Sequence, residues 1–408
     1  MSKRLVEIDL LIVGGGLLGM SVALLASDHN YRVLVCRMSD ADVPQAETLR
    51  NQGWLQSGIR YFDEGDLQKT TTFARRMRAA GRQLHWAVGM EPPSGLQGIF
   101  RVRNEAEADR FRGRATSLGI DIGDPLAPDM AKGAVGPLFV PGAIYIRTPE
   151  VPFDEAAILT AMRDIVQARK GYVMDLDQPV ELLPKPSVAR GFVVRIGADV
   201  FDPPTTVLTA GAGNVPMLTG LGMTDTLTLT QTPLLVVPSV SVVPTPGIFV
   251  DRVDRFSIVT HPSSQRVPGG AMIIGVDGFS RLTKTQPSSE RKISSEDANQ
   301  IWERLPPTLR QHRGVSRFTA GVEVGVRGEE NHARPWVAKV PKYVGLVAAV
   351  PGRATLCYSV AANDIMPLLT ELQPAVVPLC GNHSAGEMLM HFEPYYNSLN
   401  DAEETNST

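Results

Sequence analysis

The feature that most constrains this chain lies near its start. Residues 10–13 (Leu-Leu-Ile-Val) are apolar without alternation, three glycines follow, and an apolar run reopens at Leu17. Such a run predicts a strand over residues 9–13 that is buried on both faces, the kind found in parallel sheets. Gly14, Gly16 and Gly19 fit G-x-G-x-x-G, with Gly15 and Leu18 inside the same fingerprint. Gly14 allows the tight turn, Gly16 lets a pyrophosphate approach the backbone, and Gly19 lets the helix pack close to the strand. A helix over residues 17–27 then aims its N–H groups and positive dipole end at that phosphate. Residues 31–36 predict a second strand, so strand, glycine turn, helix and strand fit within about thirty residues, the context a dinucleotide site requires. The acid that usually holds the ribose hydroxyls at the end of the second strand is missing. Cys36 and Arg37 stand there, with Ser39 and Asp40 slightly later. Either Ser39 or Asp40 takes that role or adenosine is held more weakly; Arg37 alone would suit the 2′-phosphate of NADP.

The 408 residues suffice for two domains with sizeable cores. A net charge of −3 provides no global attraction to nucleic acid or to an anionic membrane. Cys36, Cys357 and Cys380 are too few and too scattered for a disulfide framework or a metal site, which points to a reducing interior. Residues 1–4 run straight into the first strand, leaving no room for a signal peptide, and no apolar run reaches the ~18 residues of a membrane span. The expected location is the cytoplasm.

Further along, residues 53–61 (Gly-Trp-Leu-Gln-Ser-Gly-Ile-Arg-Tyr) bracket aromatic and polar side chains with glycines, as a backbone passing close to a flat ligand would. Residues 66–88 predict a long amphipathic helix with Phe73, Met77, Ala80 and Leu84 inward and Arg75, Arg76, Arg78 and Arg82 on a solvated face. Residues 98–103 predict a strand, 104–118 a capped helix, 136–147 a hairpin pair and 153–170 another helix. A meander of short strands follows at 172–174, 180–183 and 191–195, and Val180 joins the expected cofactor contacts. Residues 206–214 repeat the opening theme, a buried strand running into Gly211, Ala212 and Gly213. Strands over 226–237, 247–250, 257–261 and 272–276 suggest one antiparallel sheet. A last buried strand over 344–350 leads through Pro351, Gly352, Arg353, Ala354 and Thr355 into a helix over 357–372.

This order of parts resembles the FAD-dependent oxidoreductases of the D-amino-acid oxidase superfamily. Residues 13–20 carry the dinucleotide fingerprint. Residues 53–61 look like the G-x-x-H-x-G-I-x-Y segment of its hydroxyacid and glycerophosphate branch, and residues 207–214 look like its V-x-A-A-G-A-W turn. The resemblance implies an α/β fold: a Rossmann-like FAD-binding domain with a second, mainly antiparallel β substrate domain. Segments 1–88, 150–225 and 315–380 would form a discontinuous FAD domain. Segments 89–149 and 226–314 would form the substrate domain, and 381–408 a tail with a disordered end. The implied chemistry is hydride removal from a C–H beside an amine or hydroxyl of a small amino or hydroxy acid, with the flavin as acceptor. The electron acceptor that reoxidises it stays open. Two other readings are a flavin-fold binding protein without turnover and an NAD(P)-dependent enzyme.

Several residues depart from the family pattern. Gln56 stands where the family often has His, which argues for non-covalent FAD. Glu323, in Ala-Gly-Val-Glu, replaces the Arg that grips a substrate carboxylate, and Arg334-Pro335 stands later as a candidate substitute. His261, at a strand end, suits a general base or a substrate contact, Arg334 a bidentate carboxylate clamp, and Arg60 and Tyr61 a place beside the flavin segment. Gln56, Ser57 and Gly58 are expected at the ring. Gly352, Arg353, Ala354 and Thr355 are expected at its pyrimidine edge, where N–H groups and a helix dipole stabilise negative charge. Trp54 and Trp336 fit the core as well as a stacking role. The remaining histidines show no ligand spacing, and no metal site is suggested.

Overall fold

The computed structural model describes residues 7–38, 53–61, 67–185, 191–223, 226–238, 247–261, 270–283, 293–327, 335–340 and 342–372. Its first layer is a six-stranded sheet. Leu10–Val13 lies between Val33–Met38 and Thr205–Leu208, with Tyr172–Leu176 beyond the former and Leu346–Val350, then Trp336–Lys339, beyond the latter. All pairs are parallel except the last. The apolar run at residues 10–13 forms a strand here because both its faces are covered, and every residue in it is buried. On one side Leu10 and Ile12 pack with the helices Leu17–Asp28 and Glu155–Ala168, and on the other Leu11 and Val13 pack with Leu34, Leu182 and Val194. The parallel strands place Val13, Leu208 and Val350 at one carboxyl edge, where α/β sheets bind ligands.

The second layer is an eight-stranded sheet whose pairs are antiparallel apart from Ile248–Asp251 against Gly98–Val102. Alternation and register sort its side chains between two faces. Leu235, Val237, Phe249, Ile258, Met272 and Ile274 pack against the helices Pro128–Val135 and Ser295–Arg304. Ile248, Val250 and Val259 face the other way, towards Trp54 and Ile59. A domain division is expected at residue 315, yet Arg317–Val326 pairs with Leu227–Val236 along its whole length and so continues the antiparallel sheet. The long strand Leu227–Pro238 needs a second neighbour, and among the described strands only this later segment has the length to supply it.

Two other expectations are corrected. The hairpin expected over 136–147 is a helix, Pro128–Val135, a short turn at Gly136–Leu138 and one strand, Ile144–Thr148, paired with Gly98–Val102. Pro137 and Pro141 remove the donors that a second ladder strand would need. The helix expected over 357–372 contains a π turn at Ala361–Ile365. Pro367 lacks an N–H and its ring crowds the carbonyl four residues earlier, so the helix widens ahead of it. The helix Leu67–Ala87 buries Met77, Ala80 and Leu84 as expected. Its arginines divide, however. Arg75 and Arg82 are exposed, whereas Arg76 binds Ser359 at 2.9 Å and pairs with Asp364, and Arg78 donates to the Leu118 carbonyl at 2.8 Å.

Candidate active site

The first glycine turn is held by its neighbours. The Gly14 N–H donates to Cys36 O at 2.8 Å, and the Thr209 N–H donates to Val13 O at 2.8 Å. Gly14 has φ +119°, and a Cβ there would lie 2.5 Å from the Thr209 carbonyl carbon. A Cβ on Gly19 would run into the Gly14 carbonyl oxygen. These two glycines are thus required by close backbone approach, as the fingerprint implies. Gly16 starts the helix in an extended conformation and offers no side chain to cap it. Leu18 is buried in the core beneath the turn.

Arg37 lies across this turn. A Cβ on Gly15 would sit 2.5 Å from the Arg37 Cβ. The guanidinium pairs with Asp175, its register partner on the neighbouring strand. An acid therefore stands beside the end of the second strand after all, contributed by a strand about 140 residues later. Ser39 and Asp40 lie outside the described residues. Val180 is half-buried behind the first two strands, packed with Leu11, Val13, Leu34 and Cys36.

The second turn begins at Gly211, whose φ of +57° favours glycine, and Ala212 is buried against Val322 and Val350. Its anchor is Asn214, fully buried. The Asn214 amide donates to Leu208 O at 3.2 Å and Ala349 O at 3.1 Å, and its oxygen accepts the Ala210 N–H at 2.9 Å. One side chain thus ties two strand ends to the turn between them. The third turn, Pro351 to Arg353, is closed by Arg353 N–H to Pro351 O at 2.8 Å, with Gly352 at φ +71°.

The segment around Gln56 meets this third turn. The Gln56 N–H donates to Thr355 Oγ1 at 3.3 Å. Gly58 has φ +92°, and a Cβ there would lie 2.6 Å from the Ala74 Cβ of the long helix. Ser57 is held from below by Glu150, which accepts the Ser57 N–H at 2.7 Å and its hydroxyl at 2.9 Å. Glu150 is fully buried, and burial pushes its carboxyl up to about 7, opposed by the two Ser57 hydrogen bonds and the Arg60 charge. Arg60 stacks over Trp54 at 5.5 Å and pairs with Asp277 at 2.9 Å. Tyr61 ends the short turn Ile59–Tyr61.

His261 is buried at the end of Phe256–His261, on the face it shares with Val259 that meets Trp54 and Ile59. Register sets it level with Ala271 and Pro238, whereas Glu323 is level with Thr230. Eight residues of one strand, about 26 Å when extended, separate the two levels. Glu323 instead meets Arg353, with Oε1 and Nη1 2.5 Å apart. Arg334 lies outside the described residues.

The model for the FAD dependent oxidoreductase family matches residues 9–353. The chain belongs to this family. It is an FAD-dependent oxidoreductase of the D-amino-acid oxidase superfamily. Among solved structures, the enzyme is similar to glycine oxidase from Geobacillus kaustophilus (16% identity, TM-score 0.64, covering 90% of this chain and 95% of that one). It is similar to L-amino acid deaminase from Proteus vulgaris (12% identity, TM-score 0.64, covering 91% and 95%). It is also similar to L-α-glycerophosphate oxidase from Mycoplasma pneumoniae, solved with FAD bound (14% identity, TM-score 0.66, covering 89% and 95%). At these identities the likeness is one of fold. No curated protein sequence matches the chain significantly. The glycine turn fits the cofactor, since the cradle at Gly14 and Gly19 has no room for a Cβ and opens at an uncapped helix N-terminus.

Glu150, Asn214 and Asp175 hold the candidate site in place, and local sequence does not single them out. Asn214 ends the recognised second turn, so its position is visible though its role is not. Glu150 sits in a Thr-Pro-Glu-Val-Pro connector, and nothing local marks it as buried.

Proposed function

We propose that this flavoenzyme removes a hydride from the C–H beside the amine or hydroxyl of a small amino or hydroxy acid. The observation that carries the reading is the convergence of three turns, at Gly14, Gly211 and Gly352, on one carboxyl edge, with the Gln56 segment joined to the third through Thr355. Bound FAD supplies the hydride acceptor. The chain's own residues bind and orient. Gly14 to Gly19 and the helix behind them hold the pyrophosphate. Gln56, Ser57 and Gly58 lie along the ring, with Gln56 offering no ring nitrogen for covalent attachment, so the cofactor is held non-covalently. Gly211, Ala212 and the turn from Gly352 to Thr355 line the remaining edge. His261, Tyr61 and Arg334 handle the substrate.

The division into an FAD domain and a substrate domain follows the two sheets, with Arg317–Val326 moved to the substrate side. Cys36 and Cys357 are free and buried, which agrees with a reducing compartment, and we place the enzyme in the cytoplasm. Among the described residues no helix is long and apolar enough to cross a membrane. The test is the absorption spectrum of the purified protein followed by anaerobic titration with amino and hydroxy acids. A yellow protein bleached by a member of the panel is expected. A colourless protein that takes up no added FAD refutes the reading, and a bound flavin that no substrate bleaches supports binding without turnover.

A further inference from the structure

Both N–H groups of the Gln56–Ser57 segment are fastened, Gln56 to Thr355 Oγ1 at 3.3 Å and Ser57 to Glu150 Oε2 at 2.7 Å. The Ser57 hydroxyl is committed as well. It accepts the Ile59 N–H at 3.3 Å and gives its own proton to Glu150 Oε1 at 2.9 Å. Glu150 thus receives two hydrogen bonds while fully buried, and no cation pairs with it among the described residues. Arg60 acts on it through space, with its guanidinium paired to Asp277. His261 ends a strand packed against Val151–Pro152, the element that follows Glu150. On the sheet side, a Cβ on Gly98 would lie 2.3 Å from Thr148 Oγ1 and 2.8 Å from Glu150 Cβ, so Thr148 and Glu150 are close neighbours. The Thr148 hydroxyl is fully buried and has no hydrogen-bond partner among the described residues. A buried carboxylate without an adjacent cation is poorly stabilised. The protonated acid keeps both bonds from Ser57, since each oxygen has a second lone pair, and it has an unmet hydroxyl beside it. Burial accordingly brings this carboxyl to about 7.

We propose that Glu150 is a redox-linked proton site, which takes up a proton from solvent when the flavin is reduced and returns it when the flavin is reoxidised. This rests on the oxidoreductase reading above, in which Ser57 lies along the ring. The substrate's hydride carries two electrons and one hydrogen to the flavin and adds negative charge there. The Glu150 carboxylate, one residue's hydrogen bonds away, answers by forming an O–H bond with a solvent proton. On reoxidation that bond breaks and the proton goes back to water; Glu150 exchanges no electrons at any point. A charge added at such close range, at an effective dielectric constant of about 20, raises the proton affinity of the carboxylate about tenfold. Arg60 opposes the uptake, because its charge favours the carboxylate. Neutralising a buried charge in this way makes the reduced enzyme easier to reach at neutral pH than it would be beside a fixed anion.

The test is anaerobic reduction of the holoenzyme by dithionite against dyes of known potential, from about pH 6 to about pH 9, in wild type and Glu150→Gln. A tenfold rise in affinity makes the wild type take up about half a proton more per electron pair than Glu150→Gln, with the excess greatest near pH 7.5. Its flavin potential should accordingly fall more steeply with pH there, by about 15 mV per pH unit, half of the 30 mV that a whole proton gives a two-electron couple. Arg60→Gln should move the pH of greatest excess upward. Flavin content and melting temperature show that each variant is folded. The wild type alone gives an independent reading: its reduced-minus-oxidised infrared spectrum near pH 7.5 should show a protonated-carboxyl C=O band appearing on reduction. Equal slopes in wild type and Glu150→Gln, a downward shift in Arg60→Gln, or a wild-type spectrum without that band overturns the inference. Any of these in a yellow protein overturns only this inference, whereas a protein that stays colourless with added FAD overturns the oxidoreductase reading with it.

Discussion

The buried carboxyl of Glu150 should make the stability of this enzyme fall as pH rises through neutrality, and Glu150→Gln should remove that dependence. Burial raises the group from its ordinary 4.5 to about 7 in the folded chain. Below the unfolded value both states carry the proton, and the acid contributes its full stability. Between the two values the unfolded chain releases a proton that the folded chain keeps, so stability declines with pH until the folded carboxyl also ionises near 7. A shift of this size corresponds to about 3 kcal/mol. The substituted glutamine side chain would meet the same partners, its oxygen accepting the Ser57 N–H and its amide donating to Ser57 Oγ, and it does not titrate. Urea unfolding of the wild-type and Glu150→Gln holoenzymes in parallel, from about pH 5 to about pH 8, should show near parity at the acid end and a gap opening by about 3 kcal/mol in favour of the variant. A gap that stays constant with pH, or one that opens in favour of the wild type, would refute the reasoning.

Two further perturbations probe the cofactor edge. Gly19→Ala places a methyl group against the Gly14 carbonyl and 2.6 Å from Thr209 Oγ1. The turn must shift, at a cost of about 1–3 kcal/mol, and the purified variant should carry little flavin by absorbance. Asn214→Ala leaves the Ala210 N–H and the Leu208 and Ala349 carbonyls without the side chain that meets them, and should lower the urea-unfolding free energy by about 3 kcal/mol. A stable, fully yellow Gly19→Ala protein, or an Asn214→Ala protein as stable as wild type, would show that the close approach or the anchor is not required.

Local pattern alone determined the strand–turn–helix at the start of the chain. The apolar run at 10–13, the glycines at 14, 16 and 19 and the strand ending at Cys36 act on one another within a few residues, so their geometry is written in their spacing. The same holds for the strand running into Gly211 and for the long helix after Gly58. The sequence also displayed its departures openly, with Gln56 in place of His and Glu323 in place of Arg. Where those departures sit and what they touch is decided only by contacts between distant segments. Arg37 looked like a ligand for a 2′-phosphate, and tertiary structure pairs it with Asp175 on the adjacent strand. Glu323 looked like a lost cation, and it meets Arg353 across the space between two sheets. Glu150 looked like part of a connector, and it is the buried support of Ser57. Burial and pairing of charges depend on where the two sheets stack and in what register their strands align. No run of neighbouring residues encodes that, because the partners that fix it lie tens to hundreds of positions apart.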